Sequence, residues 1–345
     1  MSDTPLTTDV AVIGAGPVGL FAVFECGMLK LRCHVIDTLE MIGGQCSALY
    51  PEKPIYDIPG YPRIVAQELV DRLVEQAAPF APVYHLGQQV TGLARLDSER
   101  GDAACWRVTT SAGAVIDATA VVIAAGCGAF GPNRPPLPGL EDYEATSVHY
   151  LVQRRESFRG RRIVIAGGGD SAVDWANSLA ELAEKVYVVH RRAKFRAAPE
   201  SVERLHRLAA AGKVELVIPY QLAALEGDGR RLSGVVVADL EGHRRLLPAD
   251  SLLPFFGLSM NLGPIAGWGL ELEHHHVTVN PATGETNHAG IFAIGDIAHY
   301  HGKLKLILTG FSEAAIVAHA IRPLVYPDEA LHWEYSTTKG VPAAG

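Results

Sequence analysis

The chain has 345 residues, 48% of them hydrophobic and 20% charged, with a formal net charge of −8. That length suits about two domains, and so much apolar material excludes a disordered chain or a small disulfide-stapled scaffold. The acidic balance disfavours a nucleic-acid binder relying on bulk charge, and 35 glycines point to tight turns or phosphate-binding loops.

The five cysteines, Cys26, Cys33, Cys46, Cys105 and Cys127, include no C-x-x-C pair. A disulfide framework, a zinc ribbon and a dithiol redox centre are all disfavoured, and a reducing, cytoplasmic setting is expected. Val10 to Phe24 carries no basic residue before it and is interrupted by Gly14, Gly16, Pro17 and Gly19, so it does not read as a signal peptide. No stretch reaches the roughly 20 apolar residues that span a bilayer, and no membrane partner is expected.

Residues 9–13 (DVAVI) predict a buried parallel strand, followed by GAGPVG at 14–19 and a helix over 18–29. Residues 33–37 (CHVID) predict a second strand ending in Asp37. This βαβ unit carries a full G-x-G-x-x-G. Gly14 permits the tight turn, Gly16 lets the backbone approach a pyrophosphate, and Gly19 allows close helix–strand contact. The helix N-terminus offers unpaired N–H groups and about half a positive charge to the anion. Asp37, 23 residues after Gly14, stands where a carboxylate accepts bonds from ribose hydroxyls.

Residues 106–125 predict strands, and a loop dense in Gly and Pro over 127–139 marks a domain crossing. The pattern then recurs. Residues 162–166 (RIVIA) predict a strand, GGGDSA at 167–172 follows, a helix runs to Leu182, and residues 186–190 (VYVVH) predict another strand. This second fingerprint has Gly167, Gly169 and Ala172, with Asp170 and Ser171 opening the helix. The same count of 23 from Gly167 reaches His190, with Arg191 and Arg192 next. Two guanidiniums would hold a 2′-phosphate by charge-assisted bonds worth roughly 1.5–3 kcal/mol each, so this site predicts NADP rather than NAD.

Two sites of opposite character predict two cofactors: FAD at the acidic site and NADP(H) at the basic one, exchanging a hydride. The chain is expected to return to its first domain near residues 255–261, and residues 290–296 (GIFAIGD) predict a short buried strand ending in a turn. The expected architecture is α/β: two Rossmann-like (three-layer ββα) dinucleotide-binding domains. Residues 1–125 with 256–330 form the FAD domain, 126–255 the NADP domain, and 331–345 a short C-terminal extension.

With these motifs in place, the sequence resembles the thioredoxin-reductase-like ferredoxin–NADP reductases over nearly its whole length. The markers are GAGPVG at 14–19, GGQCSALYPEKPIYDIPGYP at 43–62, VHYLV at 148–152, GGGDSAVDWA at 167–176, HRR at 190–192 and GD at 295–296. The resemblance implies electron transfer between NADPH and a ferredoxin, or a similar small iron–sulfur carrier, through FAD. It implies that Gln45, Tyr50, Val90, Phe130 and Asp296 contact FAD, with the Tyr50 ring stacked on one flavin face. It also implies that Tyr335 covers the other face, that Thr337 supplies a flavin-contacting hydroxyl, and that the enzyme is a homodimer. Thioredoxin reductases carry a C-x-x-C shortly before the second glycine loop, whereas residues 139–166 here hold no Cys, so a disulfide outlet is not expected.

Hydride transfer through a flavin needs no acid–base triad, and no general base is expected. Tyr335 is expected to act as a gate that leaves the flavin face for nicotinamide to stack. Docking of an acidic ferredoxin on an acidic chain needs a local basic patch, for which Arg154, Arg155, Arg161, Arg162, Lys53 and Arg63 are candidates. His274, His275 and His276 are consecutive, so their side chains diverge and no metal is expected there. Two other readings stay open: an NADPH diaphorase or flavodoxin reductase with another one-electron acceptor, and a non-catalytic flavin redox sensor.

Overall fold

The computed structural model describes residues 4–96, 105–126, 128–144, 146–329 and 340. The chain forms two compact units, residues 1–130 with 260–345 and residues 131–259. The segments that cross between them, Ala129–Pro132 and Leu258–Asn261, pair with each other as strands.

In the first unit the strand Leu6–Ile13 lies at the centre of the sheet. It pairs in parallel with Cys33–Ile36 on one side and Val115–Ile123 on the other. Val10 and Val12 face one core and Ala11 and Ile13 the other, which is why the run is continuously apolar. The first face is covered by the helices Pro17–Met28 and Ile307–Val325, which bury Ala22, Val23, Val317 and Ile321. The opposite face packs Val90, Trp106, Val108 and Leu262.

The strand Val115–Ile123 is shared along its length. Its first half takes the antiparallel strand Cys105–Thr110, and its last residues take the parallel strand Ile291–Ala293. The late strand therefore delivers the 295–296 turn to the same sheet edge as residues 14–19, although some 280 residues separate them in sequence.

The second unit repeats the plan. Its parallel sheet runs Val214–Val217, Lys185–Val189, Arg162–Ala166, Ser251–Pro254. A three-stranded antiparallel sheet, Gln221–Gly227, Leu232–Ala238 and Arg244–Pro248, shares a core with it through Val164, Val189, Val235 and Leu247. Among the described residues, no helix is long and apolar enough to cross a membrane.

Candidate functional site

In the first unit the strand Leu6–Ile13 ends at Gly14, whose φ is +116°. A Cβ there would lie 2.3 Å from the Ala124 carbonyl oxygen, and one on Gly19 would lie 2.0 Å from the Gly14 carbonyl oxygen. Both glycines are therefore required by the protein's own backbone. Gly16 differs, because a Cβ there would meet only the Gly44 Cα, at 4.0 Å. Gly16 keeps space open that no atom of the described residues fills.

The helix Pro17–Met28 starts at Gly16 with no side-chain cap, and Pro17 at its first position has no N–H to satisfy. Its free N–H groups open on a cavity of about 330 Å³ lined by Gly14, Gly16, Asp37, Gln45, Tyr50, Val90 and Asp296. Gly19 is not among the lining residues; it packs against Gly14 behind the turn.

Asp37 accepts the Ala15 N–H at 2.6 Å and the Leu39 N–H at 2.8 Å, one on each oxygen. Burial pushes its carboxyl above the usual range, opposed by N–H groups of Leu39, Ala15 and Thr38. A carboxylate has about four acceptor sites, so beside these three N–H groups Asp37 keeps room for a ligand hydroxyl. The segment that carries Gln45 is tied to the first glycine loop through the Gly43 N–H to the Ala15 carbonyl, at 2.8 Å. An uncapped helix start, an open glycine and a half-buried carboxylate fit the pyrophosphate and ribose of a dinucleotide.

Cys46 lines the same cavity. Burial pushes its thiol up to about 11, partly offset by a hydrogen bond with Tyr50 and by the Lys53 charge. The thiolate is the reactive form, so at pH 8 Cys46 should alkylate with iodoacetamide about 10²-fold more slowly than an unperturbed cysteine of pKa near 8.5. Its rate should keep rising with pH toward about 11. Peptide mapping by mass spectrometry measures this, and a Cys46 rate level above pH 9 would contradict it.

In the second unit the strand Arg162–Ala166 ends at Gly167, with φ +153°, where a Cβ would lie 2.6 Å from the Phe255 carbonyl oxygen. The helix Asp170–Leu179 starts at Gly169, again with no side-chain cap. Ser171 and Ala172 follow in its first turn, and the Ala172 Cβ is 3.0 Å from the Cβ position of Gly167.

His190 lies under this loop. A Cβ on Gly168 would sit 2.2–2.5 Å from its ring atoms, and the ring stacks on Phe195 at a centroid distance of 5.2 Å. Burial pushes the His190 pKa down, so the ring is neutral at pH 7. Arg191 and Arg192 are exposed at the end of the strand Lys185–Val189, and among the described residues neither is ion-paired.

Sequence reasoning missed several residues. The Arg196 N–H donates to the Gly168 carbonyl at 2.7 Å, and the Ala198 N–H donates to Asp170 at 2.9 Å. These bonds strap residues 196–198 along the second glycine loop and bring a third guanidinium-bearing residue to it. In the first unit Gln88, Gln89 and Trp268 also line the cavity. None of them belongs to a glycine motif, and Trp268 reaches the cavity only because the chain returns after residue 260.

Of the six basic residues expected to form a docking patch, three have partners in their own unit. Arg155 pairs with Glu181 at 2.9 Å, Arg162 pairs with Asp250 at 2.5 Å, and Arg161 donates to the Ser251 hydroxyl at 3.3 Å. An engaged guanidinium offers less charge to a partner. His276 accepts from the Lys305 ammonium at Nε2, 2.6 Å away, and donates from Nδ1 to the His274 carbonyl at 2.7 Å. Phe130 lies on the strand Ala129–Pro132. Tyr335 and Thr337 lie outside the described residues.

The family model described as pyridine nucleotide-disulphide oxidoreductase matches residues 8–318. The chain is similar to the ferredoxin–NADP reductase of Rhodospirillum rubrum, 64% identical over 98% of both chains. It is also 64% identical to that of Paramagnetospirillum magneticum, over 97% of this chain and 98% of the other. Among solved structures, Lactococcus lactis thioredoxin reductase superposes with a TM-score of 0.79 at 25% identity, over 93% of this chain and 99% of that one.

Proposed function

Since the chain belongs to the pyridine nucleotide-disulphide oxidoreductase family, in its thioredoxin-reductase-like ferredoxin–NADP reductase branch, we propose that it moves electrons between NADP(H) and a ferredoxin, with FAD as the relay. FAD occupies the cavity of the first unit in this reading. Gly14, Gly16 and Gly19 shape the pyrophosphate turn, Asp37 takes ribose hydroxyls, and Gln45, Tyr50, Val90 and Asp296 line the remainder. NADP(H) occupies the second loop, on Gly167, Gly169, Asp170, Ser171 and Ala172, with Arg191 and Arg192 on its 2′-phosphate. His190 supports that loop from beneath.

When bound, the flavin accepts or gives a hydride on one side and single electrons on the other. The chain's residues bind and orient; no general base is required. The observation that carries the reading is the contrast between the loops: one ends beside a half-buried carboxylate and the other beside two guanidiniums that, among the described residues, have no ion-pair partner. With no C-x-x-C anywhere in the sequence, the outlet is a carrier that meets the cofactor directly. Phe130, Tyr335 and Thr337 complete the flavin environment in this reading. A homodimer in the cytoplasm belongs to the same proposal, and light scattering of the purified protein measures its mass.

One experiment tests the core of it. The purified protein is mixed with NADPH in a stopped-flow device, then with oxidised ferredoxin. Flavin bleaching followed by rapid reoxidation is expected. Bleaching with reoxidation only by quinones would identify a diaphorase instead, and no bleaching would leave a redox sensor.

A further inference from the structure

A buried ion pair stands directly behind the cavity. Glu313, on the helix Ile307–Val325, pairs with Lys303 in the loop before it, and their side chains are 9% and 4% exposed. Among the described residues, no other ion pair has both partners below a tenth exposed. Neither residue lines the cavity, yet the pair is coupled to one that does. One Glu313 oxygen accepts the Gly295 N–H at 2.8 Å; the other accepts the Tyr300 hydroxyl at 2.7 Å and the Lys303 ammonium. Gly295, with φ +74°, and Asp296 after it both line the cavity.

The turn is also pressed against the first fingerprint. The Cβ position of Gly295 is 3.5 Å from Val18, and that of Gly310 is 2.4 Å from Val18. Glu313 therefore fixes the turn from behind while Val18 bounds it from the helix start. Burial and Glu313 push the Tyr300 hydroxyl up to about 12, so it stays a donor across the working pH range. Charges in so dry a position act on their surroundings with little screening. A buried ion pair is seldom needed for stability alone, since apolar residues of similar volume serve as well or better.

We propose that Glu313 is a positioning residue for the Gly295–Asp296 turn, and that Lys303 neutralises it so that the flavin's midpoint potential is set against a balanced background. This rests on the reading that FAD fills the first unit's cavity. Breaking the balance in either direction then moves the potential in opposite senses. Glu313→Gln keeps an acceptor for the Gly295 N–H but leaves Lys303 unopposed, so the potential of the bound flavin rises. Lys303→Met leaves Glu313 unopposed, so it falls. The double variant Glu313→Gln with Lys303→Met returns close to the wild-type value. Glu313→Ala, which orphans the Gly295 N–H, weakens FAD binding roughly tenfold.

Midpoint potentials of the flavin-loaded proteins, measured by slow enzymatic reduction with a reference dye, check the signs. FAD titration of the stripped proteins checks the affinity. Opposite shifts in the two single variants, cancelling in the double, support the pair; shifts of one sign in both singles, or none in any, overturn it. Should Glu313→Gln fail to fold, Lys303→Met alone still decides, because an unchanged or raised potential in it overturns the proposal. A wild-type chain that takes up no flavin overturns the functional reading itself, whereas a flavin-loaded chain with an indifferent potential overturns only this one.

Discussion

Replacing Arg191 and Arg192 together with alanine is expected to lower kcat/KM for NADPH by about 10²–10⁴-fold and to leave that for NADH within about twofold. The magnitude follows from two charge-assisted bonds of roughly 1.5–3 kcal/mol each, at 1.4 kcal/mol per factor of ten. Both side chains are exposed at the strand end, and among the described residues neither has an ion-pair partner to break first. Arg155 and Arg162 differ in this respect, being held by Glu181 and Asp250. NADH lacks the 2′-phosphate, so it loses nothing when the guanidiniums go. Because the contacts are solvent-exposed, the discrimination should also shrink as salt rises. Steady-state kinetics with both nucleotides at two ionic strengths checks the prediction; an unchanged NADPH-to-NADH ratio in the double variant would refute it.

The second large effect is expected at the first glycine loop, where two substitutions, with a third elsewhere as a control, separate three causes. Gly14→Ala places a Cβ 2.3 Å from one backbone atom and 2.7 Å from another, at φ +116°. Neither neighbour can yield, since the Ala124 N–H is itself tied to the Ile13 carbonyl at 2.8 Å. The strained conformation alone costs of order 1–3 kcal/mol, and the clash adds to it. Gly14→Ala should therefore melt several degrees lower and retain below about a tenth of the wild-type flavin. Gly60→Ala is the control for strain alone, with φ +85° and nothing within 4 Å of its Cβ. It should keep its flavin.

Gly16→Ala isolates the ligand. Its Cβ meets no protein atom closer than 4.0 Å, so the flavin-free protein should melt as the wild type does. The methyl group nevertheless occupies space the pyrophosphate needs, so FAD affinity should fall at least tenfold. Absorbance at the flavin band and calorimetry of stripped and loaded protein distinguish the three. A Gly16→Ala protein that binds FAD like the wild type would show that the pyrophosphate lies elsewhere.

The fold and the two strand–glycine–helix turns were legible in the sequence because their determinants are local. The apolar run before Gly14 needs both faces covered, and Gly14 and Gly167 adopt backbone angles that side chains disfavour. Asp37 was legible by its distance along the chain from Gly14, because a strand–helix–strand unit has a nearly constant length. The helix start was legible to within a residue, with Pro17 rather than Val18 at its first position.

Residues that act across long separations were not legible. The Arg196 strap depends on the loop after Val189 folding back onto Gly168. Glu313 meets the Gly295 N–H from 18 residues away, without a motif to announce it. The arginines read as a docking patch showed no sign of Glu181 or Asp250 in their own neighbourhood, since Arg162 and Asp250 are 88 residues apart.

By itself, then, the amino-acid order determined that this protein has two glycine loops at strand–helix turns, one followed by an acid and one by two arginines, and no C-x-x-C between them. The tertiary structure decided which charges are free to meet a ligand. Backbone turns and strand ends are set by nearest neighbours, whereas each ion pair is chosen by whichever carboxylate the fold brings within reach.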